Sequence, residues 1–237
     1  MSNQDHHLPP EAAELDDRTA AKVEELIEQE EGAQNRFRGL LAILATLIAV
    51  GMSSFHLYAA IDIVPTMYMR YTHVGFVLVL TFLMFPMARR FRNRLMPWDI
   101  VLIAGAIWVM HYIITGGDEL TDRYVFPEPM DIWIGWGLII LTLEATRRTT
   151  GWIMPAISIA FMLYAFFGNH LPAPWTHQGY DAERLIPHLT ITLDGIFGTA
   201  VDVSSSLIIL FTIFGAVLQV TGAGKFFVDF SFALMGG

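Results

Sequence analysis

Residues 39–61 read GLLAILATLIAVGMSSFHLYAAI, an uninterrupted stretch without Asp, Glu, Lys or Arg. An α-helix rises about 1.5 Å per residue, so about 20 apolar residues cover a hydrocarbon core roughly 30 Å thick. Four further charge-free intervals are also long enough, and they lie at residues 71–88, 100–117, 149–180 and 203–224. The sequence therefore predicts at least five membrane-spanning helices.

The composition of the whole chain agrees with this reading. Of 237 residues, 54% are hydrophobic and only 16% are charged. Those values exclude a soluble two-layer domain and a disordered chain, both of which need more polar surface. The chain has no cysteine, which excludes a disulfide, a thiolate metal site and a cysteine nucleophile. Residues 36–237 carry 13 acidic and 12 basic side chains, so a basic nucleic-acid-binding surface is excluded too.

A sixth span is predicted at residues 130–146, although two charges interrupt it. Asp131 and Glu144 lie near its ends, where a carboxylate reaches the interface at reduced cost. We therefore expect an all-α integral membrane protein with six transmembrane helices. The predicted spans cover about 39–61, 71–88, 98–116, 130–146, one segment within 149–180, and about 203–221.

The distribution of Lys and Arg predicts the orientation, because short cytoplasmic connections carry the excess of basic residues. With the amino terminus inside, the outer connections hold three basic residues: Arg70, Arg123 and Arg184. The inner segments then hold nine: Arg36, Arg38, Arg89, Arg90, Arg92, Arg94, Arg147, Arg148 and Lys225. The amino terminus is thus predicted to be cytoplasmic.

The first 38 residues form an acidic tail. Ten of its residues are Asp or Glu, and Arg18 and Lys22 are the only basic residues before residue 36. A thin apolar stripe between residues 10 and 35 predicts a charged cytoplasmic helix. The tail lacks the basic start and apolar core of a signal peptide.

Glu144 precedes Arg147 and Arg148 by three and four residues, the spacing that places side chains on one face of a helix. This pattern predicts a structural ion pair at the inner end of the fourth span. Contact with a moving partner is the alternative. No metal site and no catalytic residue is predicted anywhere in the chain.

The outer connection at residues 116–129 is acidic and contains two prolines. Asp118, Glu119 and Asp122 are candidate contacts for a partner protein outside the membrane, and plain solubility is the alternative reading. The stretch at residues 171–193 is predicted to be an interfacial segment that joins two membrane units.

Three histidines are predicted at the same membrane level: His56, His73 and His111. Two facing histidines ligate haem iron in some membrane cytochromes, so a haem- or quinone-linked oxidoreductase subunit is an alternative function. Histidines at a wet interface are the simpler explanation. The Gly222–Lys225 run is not a phosphate-binding loop, since the earlier glycine is replaced by Gln219.

The last span is the most polar one. Its polar and small residues are Asp202, Ser204, Ser205, Ser206, Thr212, Gly215, Gln219 and Gly222. Small and hydroxyl residues favour close helix packing within protein. A transport path is the alternative interpretation.

Residues 210–237, LFTIFGAVLQVTGAGKFFVDFSFALMGG, closely resemble the opening of the large membrane domain in fused permeases of the TRAP (tripartite ATP-independent periplasmic) transporters. The resemblance is to the type that works with TAXI-class binding proteins. Gly195-Ile196-Phe197-Gly198 and Glu144-Ala145-Thr146-Arg147-Arg148 support it. It implies a four-span small-subunit-like unit at 39–148, a connecting span with an outer segment at 149–190, and the start of a large transport domain at 191–237.

The resemblance also implies a function. It is uptake of small organic anions, often carboxylates, driven by a sodium gradient and fed by a periplasmic binding protein, in the bacterial inner membrane and without enzymatic activity. Sodium would be the coupling ion, and no other cofactor is implied. The lipid bilayer and the rest of the transport domain would be further partners. The sequence appears as an amino-terminal portion in this comparison, and the substrate and sodium sites are expected beyond Gly237.

Overall fold

The computed structural model describes Thr19, Lys22, Gln34, Asn35 and residues 37–235. Most of the charged helix expected at residues 10–35 lies outside the described residues, as does Arg36. Helices are the only regular secondary structure in the part described, and no strand is found there. The prediction of an all-α protein is confirmed for these residues.

The described residues form ten helical segments when the three parts of the last span are counted as one. They are α1 (Leu40–Ile61), α2 (Thr66–Met84), a 3₁₀ turn (Arg89–Phe91), α3 (Pro97–Asp122), α4 (Pro129–Thr150), α5 (Ile153–Phe167), a second 3₁₀ turn (Gly168–His170), α6 (Ala182–Thr190), the polar span defined below, and α9 (Ala223–Met235). The polar span covers Thr199–Thr221 and consists of α7 (Thr199–Val203), a π-helical turn (Ser204–Ile208) and α8 (Ile209–Thr221).

Five helical segments of the described chain are long and apolar enough to cross a membrane. They are Leu40–Ile61, Thr66–Met84, Pro97–Asp122, Ile153–His170 and Thr199–Thr221. The sixth predicted span corresponds to α4, which is as long as α1 but is less apolar because Asp131 and Glu144 lie within it. Its crossing of the membrane stays a prediction.

Helix α2 lies at the centre of the packing and contacts α1, α3, α4 and α7. Its buried residues include Tyr71 and Phe82, which join a core with Ile113 of α3 and Leu138 of α4. α2 begins at Thr66, five residues before the predicted span, because Pro65 lies directly before its first turn and Pro favours a helix start. Arg70 is consequently a residue of the helix and not of the outer connection.

Helix α3 continues past the predicted end at residue 116. Gly117 has φ 47° and ψ −129°, and the chain then resumes a helical path to Asp122. A Cβ at this position would collide with the Tyr68 hydroxyl of α2, so glycine is required by both the backbone and the packing. Asp118, Glu119 and Asp122, expected in a loop, therefore lie on a short helical extension.

The stretch expected at the interface contains one short helix. α6 packs against α4, with Ile186 and Thr190 next to Gly135. The chain then turns sharply at Gly195, where a Cβ would collide with the backbone of Leu189. Phe197, two residues later, is fully buried and its ring meets that of Tyr71. The Gly195–Gly198 motif thus docks the start of the polar span onto α2.

Candidate functional site

The charged residues at the end of α4 form a network that joins three helices. Glu144 accepts hydrogen bonds from Arg147 Nε at 2.7 Å and from Arg148 Nε at 2.8 Å. Arg148 Nη1 also donates to the carbonyl oxygen of Phe85, at the end of α2, at 3.0 Å. The spacing predicted from the sequence therefore places these three side chains on one face, and their contacts reach beyond α4.

The deepest member of this network is Asp99, at the start of α3. Its Oδ1 accepts a hydrogen bond from Arg148 Nη1 at 2.6 Å, and its Oδ2 accepts one from the backbone N–H of Met96 at 3.0 Å. The Arg148 and Asp99 side chains are 0% and 2% exposed. The guanidinium of Arg148 also lies over the ring of Phe82. Such a buried pair holds the two helices in one relative position.

A second network lies at the opposite end of the same helix pair. Asp131 of α4 accepts hydrogen bonds from Arg123 Nε at 3.0 Å and from the Tyr112 hydroxyl at 2.7 Å. The backbone N–H of Glu128 donates to the same carboxylate at 2.9 Å. Hydrogen bonding to Asp131 raises the pKa of Arg123 above its ordinary value, so the guanidinium stays charged. This network fixes the connection between α3 and α4.

The acidic residues expected to meet a partner are exposed. Asp118, Glu119 and Asp122 all have solvent-accessible side chains. Glu119 is 85% exposed, although its Oε1 accepts a hydrogen bond from Arg123 Nη1 at 3.2 Å. Three carboxylates close together on a helical extension give this surface a negative charge.

The polar span is attached to α2 by an ion pair. Arg70 Nη2 lies 2.9 Å from Asp202 Oδ1, and Arg70 Nη1 donates to the carbonyl oxygen of Phe197 at 2.8 Å. The Arg70 side chain is 11% exposed and that of Asp202 is 44% exposed. Protein therefore engages the polar span near its start, around Asp202 and Ser205, whereas no residue of α8 is buried in the described structure. Thr212, Gly215, Gln219 and Gly222 are exposed, so the close packing that the composition predicted is found only at the start of the span.

Two of the three predicted histidines meet, and the third does not. His73 Nδ1 lies 3.0 Å from His56 Nε2, while His73 Nε2 lies 3.1 Å from Ser204 Oγ. His56 Nδ1 lies 2.7 Å from the carbonyl oxygen of Met52. All four ring nitrogens of this pair are engaged by protein, so none is directed at a haem iron. His111 is exposed and lines a groove beside Thr72. The geometry gives no support to the haem alternative.

Sequence reasoning did not find the distant partners of several charged residues. The sequence around Asp99 does not indicate its pairing with Arg148, which joins residues 49 positions apart. Likewise, nothing in the local pattern connects Arg70 with Asp202. A usable signal for Asp131 was present, since it follows Pro129 by two residues, just as Asp99 follows Pro97. Both aspartates are the third residue of their helix, where the carboxylate accepts a hydrogen bond from the backbone N–H of the N-cap residue.

A cavity of about 470 Å³ lies between α4, α5 and the segment around α6. Its lining is mostly apolar, with Thr142, Ser158 and Asp194 as polar members, and it includes no Lys or Arg. A small carboxylate normally needs a basic group or several converging donors. This cavity therefore does not resemble an organic-anion site.

Comparison with known proteins adds the decisive observation. Residues 138–237 match the family model described as Tripartite ATP-independent periplasmic transporter, DctM component. Over these residues the chain is similar to the membrane component of a TRAP transporter. It begins within α4 and includes α5, α6, the polar span and α9. No curated protein and no solved structure matches the chain.

The resemblance drawn from residues 210–237 is confirmed at the level of the TRAP permease. Together with the five helices that are long and apolar enough to cross a membrane, the match supports a membrane permease with several spans. The TRAP segment also contains Asp202 and Ser204, the residues by which the polar span contacts α2. These contacts therefore join the matched segment to helices that precede it.

Proposed function

We propose that this chain contributes to the permease of a secondary transporter that takes up small organic anions, mainly carboxylates. A sodium gradient would drive uptake, and a periplasmic binding protein of the TAXI type would deliver the substrate. The observation that carries the proposal is the match of residues 138–237 to the DctM component of TRAP transporters. The protein would lie in the bacterial inner membrane with its amino terminus in the cytoplasm.

Within this proposal, residues 39–148 form a four-span unit that serves as a scaffold. Its third and fourth helices, α3 and α4, are tied together by the buried Asp99–Arg148 pair and the Asp131–Arg123 pair. Residues 149–190 connect this unit to the start of the transport domain at residues 191–237. The Glu144–Arg147–Arg148 group anchors the inner end of α4 to the connection after α2, because Arg147 and Arg148 donate to the carbonyl oxygens of Met87 and Phe85.

The geometry supports the proposed topology. The contacts of Arg147 and Arg148 bring the end of α4 to the same face of the bundle as the connection between α2 and α3, which contains Arg89–Arg94. Reporter fusions after Arg94 and Arg148 should score as cytoplasmic, and fusions after Asp122 and Tyr180 as periplasmic. A periplasmic signal at Arg94 would contradict the orientation.

Transport is tested with the permease that carries this sequence, reconstituted in liposomes. Labelled carboxylates should accumulate only when an inward sodium gradient and a substrate-loaded binding protein are both present. Replacing sodium with potassium outside the vesicles, or omitting the binding protein, should each reduce uptake to background. Accumulation that needs neither component would overturn the proposal.

The exposed acids of the α3 extension are proposed to contact the binding protein. Neutralising them together, as Asp118→Asn, Glu119→Gln and Asp122→Asn, should weaken binding and reduce its salt dependence, since exposed charges act through screened long-range attraction. The matched control is Asp181→Asn, Glu183→Gln and Asp194→Asn, which removes three other exposed acids. Equal binding by both triple variants would contradict the assignment.

A further inference from the structure

A continuous chain of hydrogen-bonding groups joins α1, α2 and the polar span. In order, it consists of the Met52 carbonyl, the imidazole of His56, the imidazole of His73 and the hydroxyl of Ser204. His56 and His73 are 1% and 4% exposed. Ser204 is the first residue of the π-helical turn, a feature often found at functional sites. Buried ionisable groups in membrane spans are uncommon and are usually retained for a function.

The carbonyl oxygen of Met52, at one end of this series of hydrogen bonds, determines which ring nitrogens carry protons. A carbonyl oxygen only accepts hydrogen bonds, so Nδ1 of His56 must carry a proton and donate to it. In a neutral His56, Nε2 is then an acceptor, and His73 Nδ1 donates to it. His73 Nε2 becomes an acceptor in turn, and the Ser204 hydroxyl donates to it. When both histidines are neutral, every hydrogen bond in the series is therefore donated in the same direction, from Ser204 towards Met52.

An added proton changes the contact with Ser204 wherever the charge resides. If His73 is charged, both its nitrogens donate, one of them to Ser204 Oγ. If His56 is charged, its Nε2 donates to His73 Nδ1, and the proton of a neutral His73 moves to Nε2, which again donates to Ser204. In both cases Ser204 changes from donor to acceptor. A second proton would place two N–H groups against each other across 3.0 Å.

The buried and half-buried charged groups on the neighbouring helices have partners of their own, so none of them pairs with a proton added to the two histidines. Apart from His56, α1 contains only Tyr58 as a titratable residue, and the polar span contains only Asp202. Besides His73, α2 contributes Tyr68, Tyr71 and Arg70, and Arg70 is paired with Asp202. On α3, His111 lies in the groove beside Thr72. Asp99, Asp131 and Glu144 of α3 and α4 lie towards the helix ends and are paired with arginines.

We propose that His56, His73 and Ser204 form a site that binds one proton and reports it to the polar span. Proton uptake reverses the hydrogen bond between α2 and the π-helical turn, so the hydroxyl hydrogen of Ser204 must find another acceptor. The contact between the first helices and the TRAP segment thereby depends on pH. All members of this site are residues of this chain, so its test does not depend on transport.

The test is ¹⁵N NMR of the full chain with labelled histidine in lipid nanodiscs. Near neutral pH, both His56 and His73 should be protonated at Nδ1 alone, with a scalar coupling between His73 Nδ1 and His56 Nε2. On acidification, the pair should take up one proton in total while circular dichroism shows an unchanged helix content. Protonation of His56 at Nε2 alone, uptake of two protons, or unfolding before any uptake would each overturn the proposal.

Variants of Ser204 test the last link. In Ser204→Ala, the His73 Nε2 signal should move to that of a nitrogen without a hydrogen bond, while the coupling to His56 persists. Ser204→Thr keeps the hydroxyl and should restore the original signal. His111→Gln is the control and should leave the signals of the pair unchanged. Identical His73 spectra for the native chain and Ser204→Ala would refute the role of Ser204.

Discussion

Helices α3 and α4 are joined at both ends by the same device, but the two ends differ in solvent access. Each helix begins with proline, one intervening residue and a buried aspartate, Asp99 in α3 and Asp131 in α4. Each aspartate caps its own helix and pairs with an arginine at the far end of the other helix. Arg148 is 0% exposed, whereas Arg123 is 23% exposed.

The difference in solvent access indicates which of these charges the fold depends on. Arg148 has no route to water, so its charge must be balanced by Asp99 and Glu144 within the protein. Arg123 remains partly hydrated and has further carboxylates nearby, with Glu119 at 3.2 Å and Glu128 at 3.6 Å. Because water and spare partners compensate for a lost contact, the Asp131 end should tolerate substitution better than the Asp99 end.

The largest expected effect is that of Arg148→Met. It leaves the Asp99 carboxylate buried without its cationic partner, a change that typically costs about 3–5 kcal/mol of unfolding free energy. Unfolding in mixed detergent micelles measures the loss. Arg147→Met is the matched control, since it removes a neighbouring arginine that pairs with Glu144 and leaves Asp99 paired. If both variants lost the same unfolding free energy, burial of the arginine would not explain the importance of Arg148.

A smaller loss is expected for Asp131→Asn. The amide keeps the shape and part of the hydrogen bonding, and Arg123 reaches water and other carboxylates, so we expect about 1–3 kcal/mol. Asp99→Asn should cost more than Asp131→Asn in the same unfolding assay. The reverse order would show that burial does not determine the importance of the two pairs.

The Arg70–Asp202 pair has a more exposed carboxylate than the other two pairs and links two elements far apart in sequence. Arg70→Gln and Asp202→Asn should show a coupling energy of about 0.5–1 kcal/mol in a double-mutant cycle, because one partner is 44% exposed. The same cycle between Arg70→Gln and Asp194→Asn is the control and should give additive effects. Full additivity for Arg70 and Asp202 would argue against the ion pair as a link.

Glu119→Gln should have the smallest effect on stability. This side chain is 85% exposed, and exposed ion pairs contribute about 0.2–1 kcal/mol. We expect a change of unfolding free energy at the lower end of that range. A loss as large as that of Asp131→Asn would mean that the exposed part of the Arg123 network is more rigid than its solvent access indicates.

Sequence reasoning located the apolar helices well, because a charge within a span is costly and its absence over about 20 residues leaves few other structures. It was less accurate at the helix ends. Pro65 moved the start of α2 outward, and Gly117 let α3 continue beyond its predicted end, since a backbone break does not stop a helix that resumes against Tyr68.

Site prediction worked for local spacing and failed for distant partners. Glu144, Arg147 and Arg148 are adjacent on one helical turn, so their proximity follows from helix geometry. The histidines were grouped by membrane level alone. Level does not specify the direction in which a side chain points, and only His56 and His73 share an interface.

The sequence by itself determined that this chain is helical and multi-spanning, because hydropathy and charge spacing act locally along the chain. It also contained the segment at residues 138–237 that matches the DctM component of TRAP transporters. Only the tertiary structure decided that Asp99 neutralises Arg148, that Asp202 meets Arg70, and that Ser204 completes a chain with two histidines. Those pairings join residues 49, 132 and 131 positions apart. They depend on the relative rotation and depth of packed helices, which side-chain shape at the contacts determines and local sequence patterns do not.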